Sequence, residues 1–372
     1  MSEFRDLEEL SKNIGEYVEA RRIPSVALAV VKHDRIAWQR TLGFANVQSQ
    51  TRPNPDTVYC WYSLTKLVTA SAIMQLCEQG KIGLDSPVHD YLPYFSPQNE
   101  SSKSRVTVRH LLTHSSGLGD KEWHAARWYR LATEAEPDPE VWLRQLLSRY
   151  PKLRSKPGER FNYSNVGFAV LGEIISKVSA KSYEDYVKEN ILEPLSMFHT
   201  DFEITDAIGS NVAVGYERPW SLNALLLRLI GGGKALAGRE NGFMSLKRLH
   251  AKGHSYAGLI GSIDDLSHFV VAHNNGGVFE GHRILSVESV ATMKRCQLNS
   301  QGECLRGLGW RVADDGNETW VEHRGGGPGF RSQVRIYPDL SLGIAVLGNV
   351  TFDTGKIMNR IRPKDYLFES RK

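Results

Sequence analysis

The sequence predicts a mixed α/β (α+β) fold: an antiparallel sheet built from N- and C-terminal strands, flanked by helices, with a largely helical insertion between them. Three observations carry this. Ser25 to Lys32 and Arg35 to Phe44 are β-prone runs separated by a tight turn at His33-Asp34. Alternating runs return near the C-terminus, at 306–313, 318–324, 330–337 and 341–348. Between them, from about 105 to 200, the periodicity is mainly helical, punctuated at Pro157-Gly158. Strands at the two ends of a chain bury their apolar faces most simply by joining one sheet, with the helices packed against it.

Residues 6–22 read as an amphipathic helix that precedes the first strand. A second helix contains Ser63-Leu64-Thr65-Lys66, runs on apolar as far as Cys77 and ends near Gly80, followed by a turn at Lys81 to Asp85. Its scarcity of polar positions marks it as buried. A helical run from Val166 to Val178 follows Tyr163-Ser164-Asn165, which falls on the loop feeding that helix. Residues 216–255 stand apart: an apolar piece from Trp220 to Ile230, then Gly231-Gly232-Gly233, then a basic, Gly-containing stretch. A helix closes the chain from Asp353. The expected organisation is one domain over 1–372. Its sheet part covers about 1–60 and 256–372, its helical part about 61–215, and a cleft-covering segment about 216–255. No repeat of fixed period or low-complexity tail is present.

Composition excludes several classes of function. The chain of 372 residues is 41% hydrophobic and 24% charged, enough to bury a sizeable core. Its net charge of +4, from 46 basic and 42 acidic residues, is too small and dispersed for a nucleic-acid binder. No apolar run reaches membrane-span length, and the charged start Met1 to Asp6 has no apolar region after it, so a cytoplasmic location is expected. The four cysteines, Cys60, Cys77, Cys296 and Cys304, lack metal spacing and are expected to be reduced thiols. Twelve histidines form no His-Glu-x-x-His or similar cluster, so no metal or other cofactor is expected.

The candidate chemistry is acyl transfer. Residues three apart share a helix face, which places the Lys66 amine beside the Ser63 hydroxyl. A serine needs a neighbouring base to act as a nucleophile, and a buried lysine can be that base because desolvation lowers its pKa. Ser-x-x-Lys arises by chance roughly once in a chain of this length, so the other motifs matter. Tyr163 is a second proton carrier, usable as a base if nearby cations stabilise its phenolate, and Asn165 can hold Lys66 or a substrate amide. By itself Tyr-x-Asn also fits a capping Asn beside a core Tyr. His323-Arg324-Gly325-Gly326-Gly327 follows a candidate strand, where glycines let a substrate approach the sheet edge. A backbone N–H there and that of Ser63 would make an oxyanion hole. By itself this motif also fits a Gly-rich hairpin with an exposed His.

Taken in order, these motifs resemble the serine β-lactamase and penicillin-binding-protein superfamily over roughly residues 6–352, closest to class-C β-lactamases and the family VIII carboxylesterases of that fold. Ser63-x-x-Lys66, Tyr163-x-Asn165 and His323-x-Gly325 match its three site motifs. Leu111 to Leu118, Pro157-Gly158 and Gly258 to Ser262 followed by Asp265-Leu266 match further family segments. The resemblance implies a β-lactamase/transpeptidase-like catalytic domain in which Ser63 forms an acyl-enzyme. Lys66 and Tyr163 would move its proton, and Gly326 would supply the second oxyanion N–H. Two departures, His323 in place of the lysine of β-lactamases and bulky Tyr62 before Ser63, favour an esterase with weak β-lactam turnover. An amidase or D-amino-acid peptidase, or a non-catalytic binding protein, are the alternatives. Candidate pocket residues are Tyr62, His114, Trp220, Leu226 and Arg324. The expected partner is a small-molecule ester or amide, with no nucleic acid and no membrane span. Gly231-Gly232-Gly233-Lys234 lacks the Ser or Thr of a phosphate loop and reads as a flexible linker.

Overall fold

The computed structural model describes residues 7–101, 105–120, 128–206, 208–230 and 233–361. Helix α1 (Leu7–Ala20) leads into β1 (Ser25–Lys32) and β2 (Arg35–Gly43). Helices α2 (Thr65–Glu78), α3 (Asn165–Ser179), α4 (Leu222–Ile230) and α5 (Ile263–Asn274) occupy the middle of the chain. Strands β3 (Arg311–Asp314), β4 (Thr319–Gly327), β5 (Phe330–Tyr337) and β6 (Leu342–Gly348) complete a sheet in the order β3-β4-β5-β6-β1-β2. All its pairings are antiparallel, and β1 joins the two ends of the chain by pairing with both β2 and β6. This is the expected mixed fold.

All eight residues of β1 are buried, because both faces of the strand are covered. Side chains alternate along a strand, so Val26, Leu28 and Val30 enter a core with Leu10, Ile14, Tyr17 and Val18 of α1. Ala27, Ala29 and Val31 face the opposite core, shared with α2, α3 and α5. Small residues let α5 approach closely: a Cβ on Gly343 would lie 2.4 Å from Val270 Cγ1.

Three expectations need correction. The strand expected at 306–313 is broken, because Gly309 takes φ +80° and donates its N–H to Leu112 O, turning the chain into the helical part. Cys304–Arg306 instead pairs with Gln297–Leu298 as a separate hairpin. That hairpin brings Cys296 and Cys304 together with Cα atoms 5.7 Å apart, and they form a disulfide rather than two reduced thiols, while Cys60 and Cys77 are free. Finally, strands enter the region expected to be mainly helical and the basic stretch after α4, for which the sequence predicts no element. Leu236–Glu240, Phe243–Leu246 and Tyr216–Glu217 form a small antiparallel sheet, and Leu249–Ala251 pairs with Tyr129–Leu131 inside the expected helical region. The turn between the first two strands is Asn241-Gly242, both at positive φ, a two-residue hairpin signal legible in the sequence. Gly231 and Gly232 lie outside the described residues. Among the described residues, no helix is long and apolar enough to cross a membrane.

Candidate active site

Ser63 sits on a tight turn that enters α2, half-buried between the sheet and the helical part. The turn is strained and clamped. Tyr62, a bulky residue, takes φ +49°. Its hydroxyl donates to Pro328 O at 2.7 Å, and its ring meets those of Tyr129 and Phe330 edge-on. The Trp61 N–H donates to Leu259 O, while Trp61 O accepts from Ser332 Oγ at 2.6 Å. A Cβ on Gly325 would lie 2.1 Å from Trp61 O, so only glycine lets β4 run this close to the serine turn.

One helical turn on, Lys66 is fully buried. Its Nζ lies 3.2 Å from Ser63 Oγ and donates to Asn165 Oδ1 and to Tyr256 O, each at 2.7 Å. The rings of Tyr163, Phe168 and Tyr256 surround the amine at 5.0–5.6 Å. Burial pulls the Lys66 pKa down to about 7, opposed by the negative charge of Asp120. Burial in turn raises the pKa of Asp120, which accepts hydrogen bonds from the Asn165 and Val166 N–H groups at the start of α3. A carboxylate there satisfies orphan donors and faces the positive end of the helix dipole.

Tyr163 O–H donates to Ser63 Oγ at 2.9 Å. Its position follows from the helix start: Ser164 caps α3 by accepting from the Gly167 N–H, and the Ser164 N–H donates to His114 Nδ1. The His114 ring stacks on that of Tyr163 with centroids 4.4 Å apart. Burial raises the Tyr163 pKa further than the nearby Arg306 cation lowers it, so the phenol stays protonated. The phenolate, usable as a base only if nearby cations stabilise it, is thus disfavoured. The cap of α3 is Ser164, so Asn165 is free to engage Lys66.

On β4, pairing with β3 ends at Glu322, which leaves the outer edge from His323 to Gly327 without a β3 partner. His323 is buried, its Nδ1 3.0 Å from Arg324 O, which rules out the exposed-His hairpin. Burial, with Lys66 and Arg306 nearby, pushes its pKa down to about 3, so the imidazole is neutral. Along this edge opens a cleft of about 490 Å³ lined by Gly325, Gly326, Gly327, Arg324, Leu226 and Arg331, among others.

The structure thus gathers Ser63, Lys66, Tyr163 and Asn165 at bonding distance. It sets Tyr62 and His114 against them and brings Gly325, Gly326, Arg324 and Leu226 to the cleft. Trp220 is the exception. It is 92% exposed and lies beside Arg218 and Phe243, not at the cleft, because it precedes α4, on which Asn223, Leu226 and Leu227 line the cleft. Sequence reasoning missed Asp120, the Tyr256 carbonyl and Arg306, whose guanidinium lies 4.3 Å over the Phe161 ring. Asp120 and Arg306 stand in no motif pattern, and a backbone carbonyl leaves no residue-type signal.

A seryl oxygen that contacts an amine of lowered pKa and a neutral phenol has what acyl transfer needs: a nucleophile, a proton acceptor and a proton relay. Comparison with known proteins gives the family to which the chain is similar. The family model described as Beta-lactamase matches residues 10–362. Protein flp of Staphylococcus aureus (strain N315) is 25% identical over 351 residues, 92% of this chain and 63% of that protein. The chain therefore spans less than two thirds of that relative's length. The putative penicillin-binding protein PbpX of Bacillus subtilis (strain 168) is 30% identical over 208 residues, 56% of this chain and 48% of PbpX. Among solved structures, the octameric penicillin-binding protein homologue from Pyrococcus abyssi superposes with a TM-score of 0.72 at 28% identity, covering 95% of this chain and 76% of that one. EstCE1, described as a hydrolase with promiscuous acyltransferase activity, shares the fold with a TM-score of 0.75 at 22% identity, covering 97% and 98%.

Proposed function

The chain belongs to the beta-lactamase family, and from that premise we propose that it is a serine hydrolase that cleaves small carboxylic esters through an acyl-enzyme on Ser63. The observation that carries this is the Lys66–Ser63–Tyr163 chain of contacts. With both N–H groups of a neutral Lys66 amine donated to Asn165 Oδ1 and Tyr256 O, its lone pair faces the Ser63 hydroxyl. Ser63 Oγ attacks the ester carbonyl carbon as its proton passes to Lys66 Nζ. The tetrahedral oxyanion is held by the backbone N–H groups of Ser63 and Gly326. The C–O bond to the alcohol then breaks, and a proton relayed through Tyr163 reaches the departing alkoxide. Water, giving its proton back along the same path, attacks the acyl carbon and releases the acid. Lys66 is the base in this reading, since Tyr163 holds its proton.

Esters are favoured over β-lactams because neutral His323 supplies no cation for a β-lactam carboxylate. One observation favours a second reading, an amidase or peptidase acting on a carboxylate-bearing substrate: the Arg306 cation is close enough to act on Tyr163 and His323. Intact-mass measurement after incubation with a fluorophosphonate, beside turnover of p-nitrophenyl acetate and of a D-alanyl p-nitroanilide, tests both. An adduct mapped to Ser63 with ester turnover at least tenfold faster is the expected result. Absence of any adduct would exclude both enzyme readings, and faster anilide cleavage would favour the second.

A further inference from the structure

Two residues before Tyr256, whose carbonyl accepts from Lys66 Nζ, His254 belongs to a second cluster of polar groups. We infer that Glu136, Glu203 and His254 form a binding site for a divalent cation of the zinc type. One ligand atom from each lies within 4.8 Å of the other two. His254 is 93% buried by its 7% exposure, and its Nε2 has no hydrogen-bond partner among the described residues. That atom points into the cluster, 3.9 Å from Glu136 Oε2.

The tautomer suits a ligand. His254 Nδ1 lies 2.7 Å from Glu184 Oε1, and a proton donated there leaves the Nε2 lone pair directed at the two glutamates. A carboxylate behind a histidine is the usual outer partner of a metal-bound imidazole. One histidine with two carboxylates is a donor set that zinc accepts, with water in a fourth position. Bonds of about 2.0–2.2 Å would bring neighbouring ligand atoms to roughly 3.5 Å apart, a closure within reach of side-chain rotation.

Every charged group facing the cluster enters the balance. Arg130 donates Nε to Glu136 Oε2 and Nη2 to Glu203 Oε1. The second oxygens are engaged as well, Glu136 Oε1 accepting from the Gly253 N–H at 3.2 Å and Glu203 Oε2 lying 3.3 Å from His250 Nδ1, so a cation would use the second lone pair that each carboxylate oxygen keeps. Three carboxylates, Glu136, Glu184 and Glu203, against one guanidinium leave two negative charges when His250 and His254 are neutral. A dication cancels them. Two protonated histidines would also cancel them, and that metal-free alternative is what the experiment must separate.

The site joins three segments remote in sequence, including the turn from Gly253 to Tyr256. Tyr256 O, two residues beyond His254, accepts from Lys66 Nζ. A bound cation would therefore stiffen the wall that holds the lysine without touching substrate.

The test uses the full chain, stripped with a chelator and dialysed against Zn²⁺ and, separately, Co²⁺. The expected result is one Zn²⁺ per chain, a melting temperature that rises with free Zn²⁺, and a visible Co²⁺ spectrum of low coordination number. Glu203→Gln, at a half-exposed position, and His254→Gln should each weaken uptake at least tenfold, and Glu184→Gln about tenfold. If His254→Gln does not fold by circular dichroism, Glu203→Gln and Glu136→Gln decide. No stoichiometric uptake by the wild type, or equal uptake by folded Glu203→Gln and Glu136→Gln, overturns the inference. The readout is metal content, so it stands or falls independently of ester turnover.

Discussion

At the scale of single residues, Lys66 has its pKa set by competing effects of known sign. Burial disfavours the ammonium more than Asp120 favours it, so the amine titrates near 7. Below that pH it is protonated and has no lone pair for Ser63. Ester turnover should therefore fall as pH drops through about 7, read from kcat/KM against pH. The linkage to stability has a definite sign too. Between about 7 and the ordinary lysine range, the unfolded chain binds the proton and the folded one does not, so this group makes stability rise with pH across that window. Asp120→Asn removes the charge that holds the Lys66 pKa up while keeping an acceptor for the α3 N–H groups. It should move the acid limb to lower pH; an unmoved limb would show that Lys66 does not set it. Ser63→Ala should abolish turnover with the fold intact, and Lys66→Ala should cost about 10²–10⁴-fold. Tyr163→Phe removes only the relay hydroxyl, and a rate within a few-fold of wild type would mean that Lys66 works without it.

At the scale of elements, α4 was legible as an apolar helix, but which of its faces meets the cleft was not. Trp220, Leu222, Leu225 and Leu226 all fit one apolar stripe by spacing, yet Leu222 and Leu225 are exposed and Leu226 and Leu227 line the cleft. Rotation of a helix about its axis is set by what it docks on, and here Leu227 packs with Ala235 and Leu246 while Asn223 donates to Glu217 and to Thr351, a residue over a hundred positions away. Leu226→Ala should therefore shift the preferred ester chain length, while Trp220→Ala should leave the profile unchanged, both measured over p-nitrophenyl esters of increasing length. A shift in the Trp220 variant equal to that of Leu226 would remove this assignment. The Asn241-Gly242 hairpin is the opposite lesson. Its turn signal stood in the sequence, but the short, weakly apolar strands around it offered no periodicity to support it.

At the scale of the whole molecule, the sheet holds the chain ends together and sets one wall of the cleft, with β4 on one side and α4 on the other. Close packing of α5 on β6 depends on Gly343, where a side chain would strike Val270. Gly343→Leu should lower stability by about 1–3 kcal/mol or more, read from urea unfolding midpoints. The acid limb of the pH–rate profile should stay in place, because a side chain at Gly343 would meet Val270, Val31 and Ile336 and none of the residues that touch the Lys66 amine. A moved limb would show that sheet packing tunes the site.

The residues of the sequence by themselves determined the alternating strands, the buried helix carrying Ser63 and Lys66, and the order of the three motifs. These are local or periodic features, written in neighbours two to four positions apart. Tertiary structure alone decided the rest. Asp120 reaches Lys66 because the loop after Leu118 folds over the start of α3, and Tyr256 offers a backbone carbonyl whose value lies in its position. Cys296 and Cys304 pair because a short hairpin apposes them. Glu136, Glu203 and His254 converge from three distant segments, a spacing that no local pattern reveals. Contacts made across long loops depend on how packed elements are mutually oriented, and that orientation is a property of the whole core.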